Sequence, residues 1–198
     1  MGILLTVDPE FVIFTGPMFG SKTTKMLAII DRYRYQNKKV AAFKPNQDDR
    51  YSSSFICTHN GGKIEALNVS SGEDILSVVN TMSKKPDVIA VDEAFMIPRI
   101  AINLVQLFRE GYTILVSSLQ LSSSGSPFNE IRDMMPWATK IEICPAVCPV
   151  TGRDAYYTFR KVEGLEEITV GGAELYEPRC WEMHEYINTH KNFLEKDT

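Results

Sequence analysis

The sequence predicts an α/β fold: a mostly parallel sheet with helices on both faces, followed by a small β-rich lobe. Four short apolar runs, FVIFTG (11–16), KKVAAFKP (38–45), PDVIAVDEA (86–94) and YTILVSSL (112–119), alternate with segments of helical period. That order winds a parallel sheet. The first run opens into a Gly-rich loop, and the third closes on two acids, Asp92 and Glu93. Past Trp137 the texture changes to short β-rich pieces, KIEICPAV, AYYTFRKV and EEITVGG, separated by Pro and Gly.

Each element has its own signal. After FVIFTG, the segment TTKMLAIIDRYRYQN places Met26, Ile29, Ile30 and Tyr33 at helical spacing. After the second run, NQDDRYSSSFICTHNGGK (46–63) is polar and turn-rich and reads as a long loop. ALNVSSGEDILSVVNTM supplies a cap and a helix, and IPRIAINLVQLFREG reads as a helix with Pro98 near its start and Gly111 past its end. The domain reading is an α/β core over 1–140, a small β lobe over 141–190, and a tail over 191–198.

Composition bounds the function. At 198 residues the chain supports one substantial core. A formal charge of −4 argues against coating a nucleic acid polymer, while a local basic loop still serves small anions. No apolar run reaches the length of a membrane span, and the first residues carry neither a basic leader nor a cleavage site. The expectation is a cytoplasmic protein, without a membrane partner and with little reason for disulfides.

The chemistry gathers at the strand ends. GPMFGSKTTK resembles the phosphate loop G-x-x-x-x-G-K-[ST], whose backbone N–H groups cradle phosphates, whose Lys reaches the outer ones and whose hydroxyl holds Mg²⁺. Gly16, Lys22 and Thr23 fall in place; Gly20 stands one position early, and Ser21 occupies the second Gly position. A Ser at positive φ costs of order 1–2 kcal/mol, so the expectation is a strained, working cradle in which Gly20 absorbs part of the bend. Asp92 suits Mg²⁺, and Glu93 suits a general base taking a proton from an attacking hydroxyl. The other reading of both acids is a cap on the following helix.

Taken in order, GPMF-x-x-K-T, KPNQDDRY, FICTHNGG, VDEAF, GSPF, AVC, DAYYTFR and VGGAELYEPRC resemble the type II thymidine kinases, from about Phe11 to His184. The resemblance implies a P-loop (RecA-like) core, a lobe of the zinc-ribbon or lasso type, ATP and Mg²⁺ as cofactors, thymidine as acceptor, a homotetramer, and inhibition by the triphosphate end product. It implies that Lys22 binds the donor's phosphates, that Thr23 and Asp92 hold Mg²⁺, and that Glu93 is the base. Asp48 and Arg50 would lie near the reacting groups, with Arg50 stabilising the transferred phosphoryl. Met18, Met96, Leu119, Phe128, Thr158 and Tyr176 would enclose the base. The lobe's backbone from Thr169 to Gly172 would read its edge, with Gly171 and Gly172 allowing close approach.

The chain also departs from that pattern. Phe95 stands for a usual Gln, Met96 for an aromatic, and Gln120 and Ser123 for Asp and Phe. Loss of two aromatic walls weakens stacking by about 0.5–1.5 kcal/mol each, which leaves base preference open. Cys148 and Cys180 begin the family's two metal pairs, yet Thr151 and Met183 fill the partner positions. Cys144, Cys148, Cys180 and His184 would make a Cys₃His zinc site, or the cysteines are buried small residues without metal. Cys57 reads as a lone buried thiol, and His59 and His190 as structural or solvated. Beside a thymidine kinase stand two alternatives, a non-catalytic nucleotide-binding subunit and a kinase of another nucleoside.

Overall fold

The computed structural model describes residues 8–46, 54–58, 61–162, 169–185 and 187. The chain runs β1 (Phe11–Thr15), α1 (Lys22–Tyr35), β2 (Val40–Pro45), β3 (Phe55–Cys57), β4 (Lys63–Glu65), β5 (Leu67–Val69), α2 (Gly72–Thr81), β6 (Val88–Val91), α3 (Ile100–Arg109), β7 (Thr113–Ser118), α4 (Asn129–Met134), β8 (Lys140–Ile143), β9 (Ala146–Val147), β10 (Asp154–Ala155), β11 (Tyr157–Arg160) and β12 (Tyr176–Arg179). Six strands form one parallel sheet in the order β5-β2-β6-β7-β1-β8. Strands buried on both faces read as continuous apolar runs, and every residue of β1, β6 and β7 is buried.

Side-chain alternation divides the core between the two faces. Met26, Leu27, Ile30 and Tyr33 of α1 pack on Val12, Phe14, Ala42, Ala90 and Leu115. On the other face Ile75 and Val79 of α2, Leu104 and Leu107 of α3, and Ile131 of α4 pack on Phe11, Ile13, Phe43, Ile89 and Val91. Each such side chain contributes roughly 1.5–3 kcal/mol on burial. Among the described residues no helix is long and apolar enough to cross a membrane.

Three features differ from the sequence reading. The polar stretch after β2 contains the hairpin of β3 and β4, because Ile56 and Ile64 face each other across it and bury against the α1 side. Leu67–Val69 adds an edge strand with only Val69 buried. Lys140–Ile143, read as the opening of the β lobe, instead pairs in parallel with β1 as the far edge of the central sheet. The lobe beyond it consists of two short antiparallel pairs, β9 with β10 and β11 with β12. Phe19 and Met183 pack against its cluster of Ala146, Cys148, Ala155 and Cys180.

Candidate functional site

The carboxyl ends of β1, β6 and β7 converge where ligands of open α/β sheets bind. The Gly-rich loop leaves β1 there. Gly16 has φ 142°, and a Cβ on it would stand 2.3 Å from the Cys144 carbonyl oxygen. Gly20 is tight against the same oxygen, again 2.3 Å from an added Cβ, but its φ is not positive. The bend falls instead on Phe19 (φ 66°) and Ser21 (φ 58°). Gly20 therefore does not absorb the bend: it is there because β8 leaves no room for a side chain. Ser21 carries a strain of about 1–2 kcal/mol while its backbone N–H still opens α1.

Lys22 is buried, and its ammonium donates to the Pro17 carbonyl at 2.6 Å, drawing the loop around itself. Next to it the Thr23 hydroxyl donates to Asp92 Oδ1 at 3.0 Å and stands 3.5 Å from the Ser117 hydroxyl. Asp92 is buried, and its N–H donates to the Phe43 carbonyl. A hydroxyl and a carboxylate side by side, both hard oxygen donors, fit Mg²⁺, which takes one or two carboxylates and completes its shell with phosphates and water. Glu93 sits in the left-handed region at φ 50°, ψ 42° and caps the 3₁₀ turn Ala94–Met96. The helix that follows, α3, is capped by Arg99, so neither acid caps it, and the Glu93 side chain makes no cap hydrogen bond to the 3₁₀ turn.

Two clefts meet at this point. The first, about 820 Å³, runs over Gly20, Ser21, Lys22, Thr23, Asp92 and Glu93. The second, about 490 Å³, lies between core and lobe. Its core wall holds Met18, Met96, Leu119 and Phe128, and its lobe wall holds Thr158, Thr169, Gly171 and Tyr176. Met18, Leu119 and Glu93 line both. Gly172 lies on the first cleft. Asp48, Arg50, His59 and His190 lie outside the described residues.

A hydrogen bond pins the lobe to the loop, and another fixes the lobe's own backbone. The Met18 N–H donates to the Thr158 hydroxyl at 3.0 Å. The Tyr176 hydroxyl donates to the Thr169 carbonyl at 2.9 Å, fixing the backbone of the lobe wall. Phe95 and Phe128 keep one aromatic pair, with ring centroids 4.6 Å apart. Ser123 lines the second cleft, whereas Gln120 turns away and accepts from the Thr15 hydroxyl at 2.8 Å.

The zinc set is not assembled. Cys144 belongs to the core under the phosphate loop, where burial pushes its thiol up, while Cys148 and Cys180 lie in the lobe's own cluster. His184 is fully buried; its Nδ1 accepts from the Ile187 N–H at 3.3 Å, so Nε2 carries the proton and donates to the Thr158 carbonyl at 3.0 Å. Both ring nitrogens are thus engaged, and burial lowers its pKa. Burial also raises the Cys148 thiol, but N–H groups of Cys180, Thr151 and Val150 with the Thr151 hydroxyl outweigh it and bring it to about 6. Among the described residues no three His, Cys, Asp or Glu side chains converge to hold a metal ion.

Lys44 and Cys57 are among the residues on the first cleft that the sequence reading did not place there. Lys44, 3% exposed, lies beside Asp92 at the end of β2 and approaches the Phe55 carbonyl at 3.5 Å. Its signal was a charged residue ending an apolar run. Cys57, placed as a lone buried thiol, is half-exposed on the cleft wall, because β3 turns it there.

A family model described as "Thymidine kinase" matches residues 10–184. A thymidine kinase of Thermococcus kodakarensis is 34% identical over 181 residues, covering 87% of this chain and 92% of the relative. One of Pyrobaculum aerophilum is 31% identical over 175 residues, covering 85% and 95%.

Proposed function

Since the chain belongs to the thymidine kinase family, we propose that it transfers the terminal phosphoryl group of ATP to the 5′-hydroxyl of thymidine across the junction of the two clefts. The observation that carries this is Glu93, which lines both. ATP lies over the loop in the first cleft and thymidine lies in the second. The Glu93 carboxylate accepts the proton of the 5′-hydroxyl while its oxygen bonds to phosphorus and the bond to the departing diphosphate breaks. Lys22, with the N–H groups of the loop and the start of α1, holds the phosphates and offsets the charge that develops. Thr23 and Asp92 would hold Mg²⁺, which when bound draws negative charge from the phosphates. Asp48 and Arg50 are assigned to the same end of the site on the strength of the family pattern.

Met18, Leu119, Phe128, Thr158 and Tyr176 supply the apolar and hydroxyl wall for the base, with the Thr169 to Gly172 backbone along its edge. The protein is assigned to the cytoplasm, as a homotetramer acting in deoxynucleoside salvage; exposed Ile141 and Ile143 on the edge strand β8 are apolar surface for such contacts. A second acceptor remains in play because Met96 and Ser123 line the base cleft in place of aromatic walls. Glu93→Gln tests the reading. Turnover of thymidine falls by about 10²–10⁴ while ATP binding persists. An unaltered chain that phosphorylates no deoxynucleoside sinks it, and thymidine ranking last in an acceptor panel moves the assignment to another nucleoside.

A further inference from the structure

The turn that carries Glu93 is held in a strained shape by residues that lie outside both clefts. Glu93 has φ 50° and ψ 42°, a left-handed conformation that persists only where its surroundings over-determine it. Within the turn the Met96 and Ile97 N–H groups close on the Glu93 and Ala94 carbonyls at 3.0 and 3.1 Å. The Phe95 N–H points out of the turn instead, and the Ser118 hydroxyl at the end of β7 accepts it at 3.1 Å. The same hydroxyl donates to the Leu119 carbonyl at 3.1 Å. One fully buried oxygen thus ties the turn to a residue that lines both clefts. Further along, Arg99 is again left-handed, at φ 56°. There the Glu130 carboxylate of α4 accepts from the N–H of Arg99 at 2.7 Å and from that of Ala101 at 2.8 Å, groups at a helix start that have no partner within the helix.

We propose that Ser118 and Glu130 are positioning residues that fix the Glu93 carboxylate at the junction of the clefts. The inference rests on Glu93 as the base. Neither Ser118 nor Glu130 lines a cleft, so both act through the turn and not on the substrate. A base works only within hydrogen-bond reach of the proton it takes, and a displacement of about 1 Å costs on the order of a hundredfold in rate. The stretch from Ser118 to Glu130 also supplies Leu119, Ser122, Ser123 and Phe128 to the second cleft. The rings of Phe95 and Phe128 meet at 4.6 Å between centroids. Cleft wall and Glu93 are therefore set by one piece of chain, which anchors the turn at Phe95 and again at Arg99.

The test is a double-mutant cycle on the full chain with ATP, Mg²⁺ and thymidine, read as single-turnover rates. Ser118→Ala removes the hydroxyl without adding bulk; the rate falls about ten- to a hundredfold, while the Kd for ATP stays that of the wild type. Glu130→Gln keeps one accepting oxygen and loses less, and it decides the matter if Ser118→Ala does not fold. Placed in Glu93→Gln, neither change slows the reaction further, because a group that acts through the carboxylate has nothing left to align. Glu93→Gln alone reports on the base: a rate that survives it withdraws the base assignment and this inference together. Where Glu93→Gln does lower the rate, three results overturn the positioning role alone: full activity in Ser118→Ala, a loss repeated in full in the Glu93→Gln background, or a Kd for ATP that rises in step with the fall in rate.

Discussion

The backbone N–H of Met18 donates to the hydroxyl of Thr158 at 3.0 Å, so the phosphate loop and the small lobe are joined by one hydrogen bond between residues 140 positions apart. The same Thr158 offers its carbonyl to His184, which is anchored in turn by the Ile187 N–H. Loop, cleft wall and lobe thereby form one connected unit. Phe19, packed against the lobe's cysteine cluster, is a second tie.

Thr158→Val keeps the shape and removes the acceptor. The Met18 N–H is left unsatisfied at a part-buried site, a loss of about 1–3 kcal/mol. The KM for thymidine rises about tenfold or more, while the Kd for ATP changes little. Equal losses in both would show that the bond serves overall stability rather than the alignment of lobe and loop.

Ser21 and Gly20 answer oppositely to substitution. Ser21→Gly relieves a residue at φ 58° and raises stability by about 1 kcal/mol in chemical denaturation. Gly20→Ala drives a methyl into the Cys144 carbonyl, 2.3 Å away, and weakens ATP binding sharply. A harmless Gly20→Ala would mean that the loop and β8 are not pressed together.

Lys44 is the second buried cation on the phosphate-side cleft. Lys44→Met weakens ATP binding by about 1.5–3 kcal/mol if its charge-assisted bond reaches phosphate, or roughly ten- to a hundredfold in Kd. Calorimetric titration reads this directly. Unchanged ATP affinity with a lowered melting temperature would restrict Lys44 to holding the β3 strand.

His184 makes stability depend on pH. Burial holds its folded pKa below the usual 6.5, so its neutral form stabilises the fold fully above 6.5. That stability is lost as pH falls below 6.5 toward and through the lowered folded value. Denaturation midpoints of the wild type therefore drop between pH 7 and 5, and those of His184→Gln, which keeps a donor to Thr158, drop less. Parallel curves would assign the slope to other groups.

Much of the framework could be read from the letters, because β1, β6 and β7 are buried on both faces and α1 repeats its apolar residues every three or four positions. The β3 and β4 hairpin could not, since among its described residues only Ile56 and Ile64 are buried, and both sit in a polar run. KIEI looked like a lobe strand because it alternates; as an edge strand it alternates for another reason, with Ile141 and Ile143 exposed. That Leu119 and Tyr176 share the wall of one cleft was legible through motif order alone, as neither carries a local signal of its own. Spacing suggested Cys144 as a partner for Cys148, but a sulfur four residues away belongs to a different core once β8 joins the sheet.

The loop from Gly16 to Ser21 is made long before the wall that gives it its shape, the carbonyl of Cys144 at the end of β8. On a ribosome the loop therefore emerges long before its mould. Until β8 has cleared the exit tunnel and added to β1, the nascent chain has the letters of a phosphate cradle without its form. Nucleotide is then gripped only once β8 has joined β1, so ATP cannot act as an early nucleus for folding.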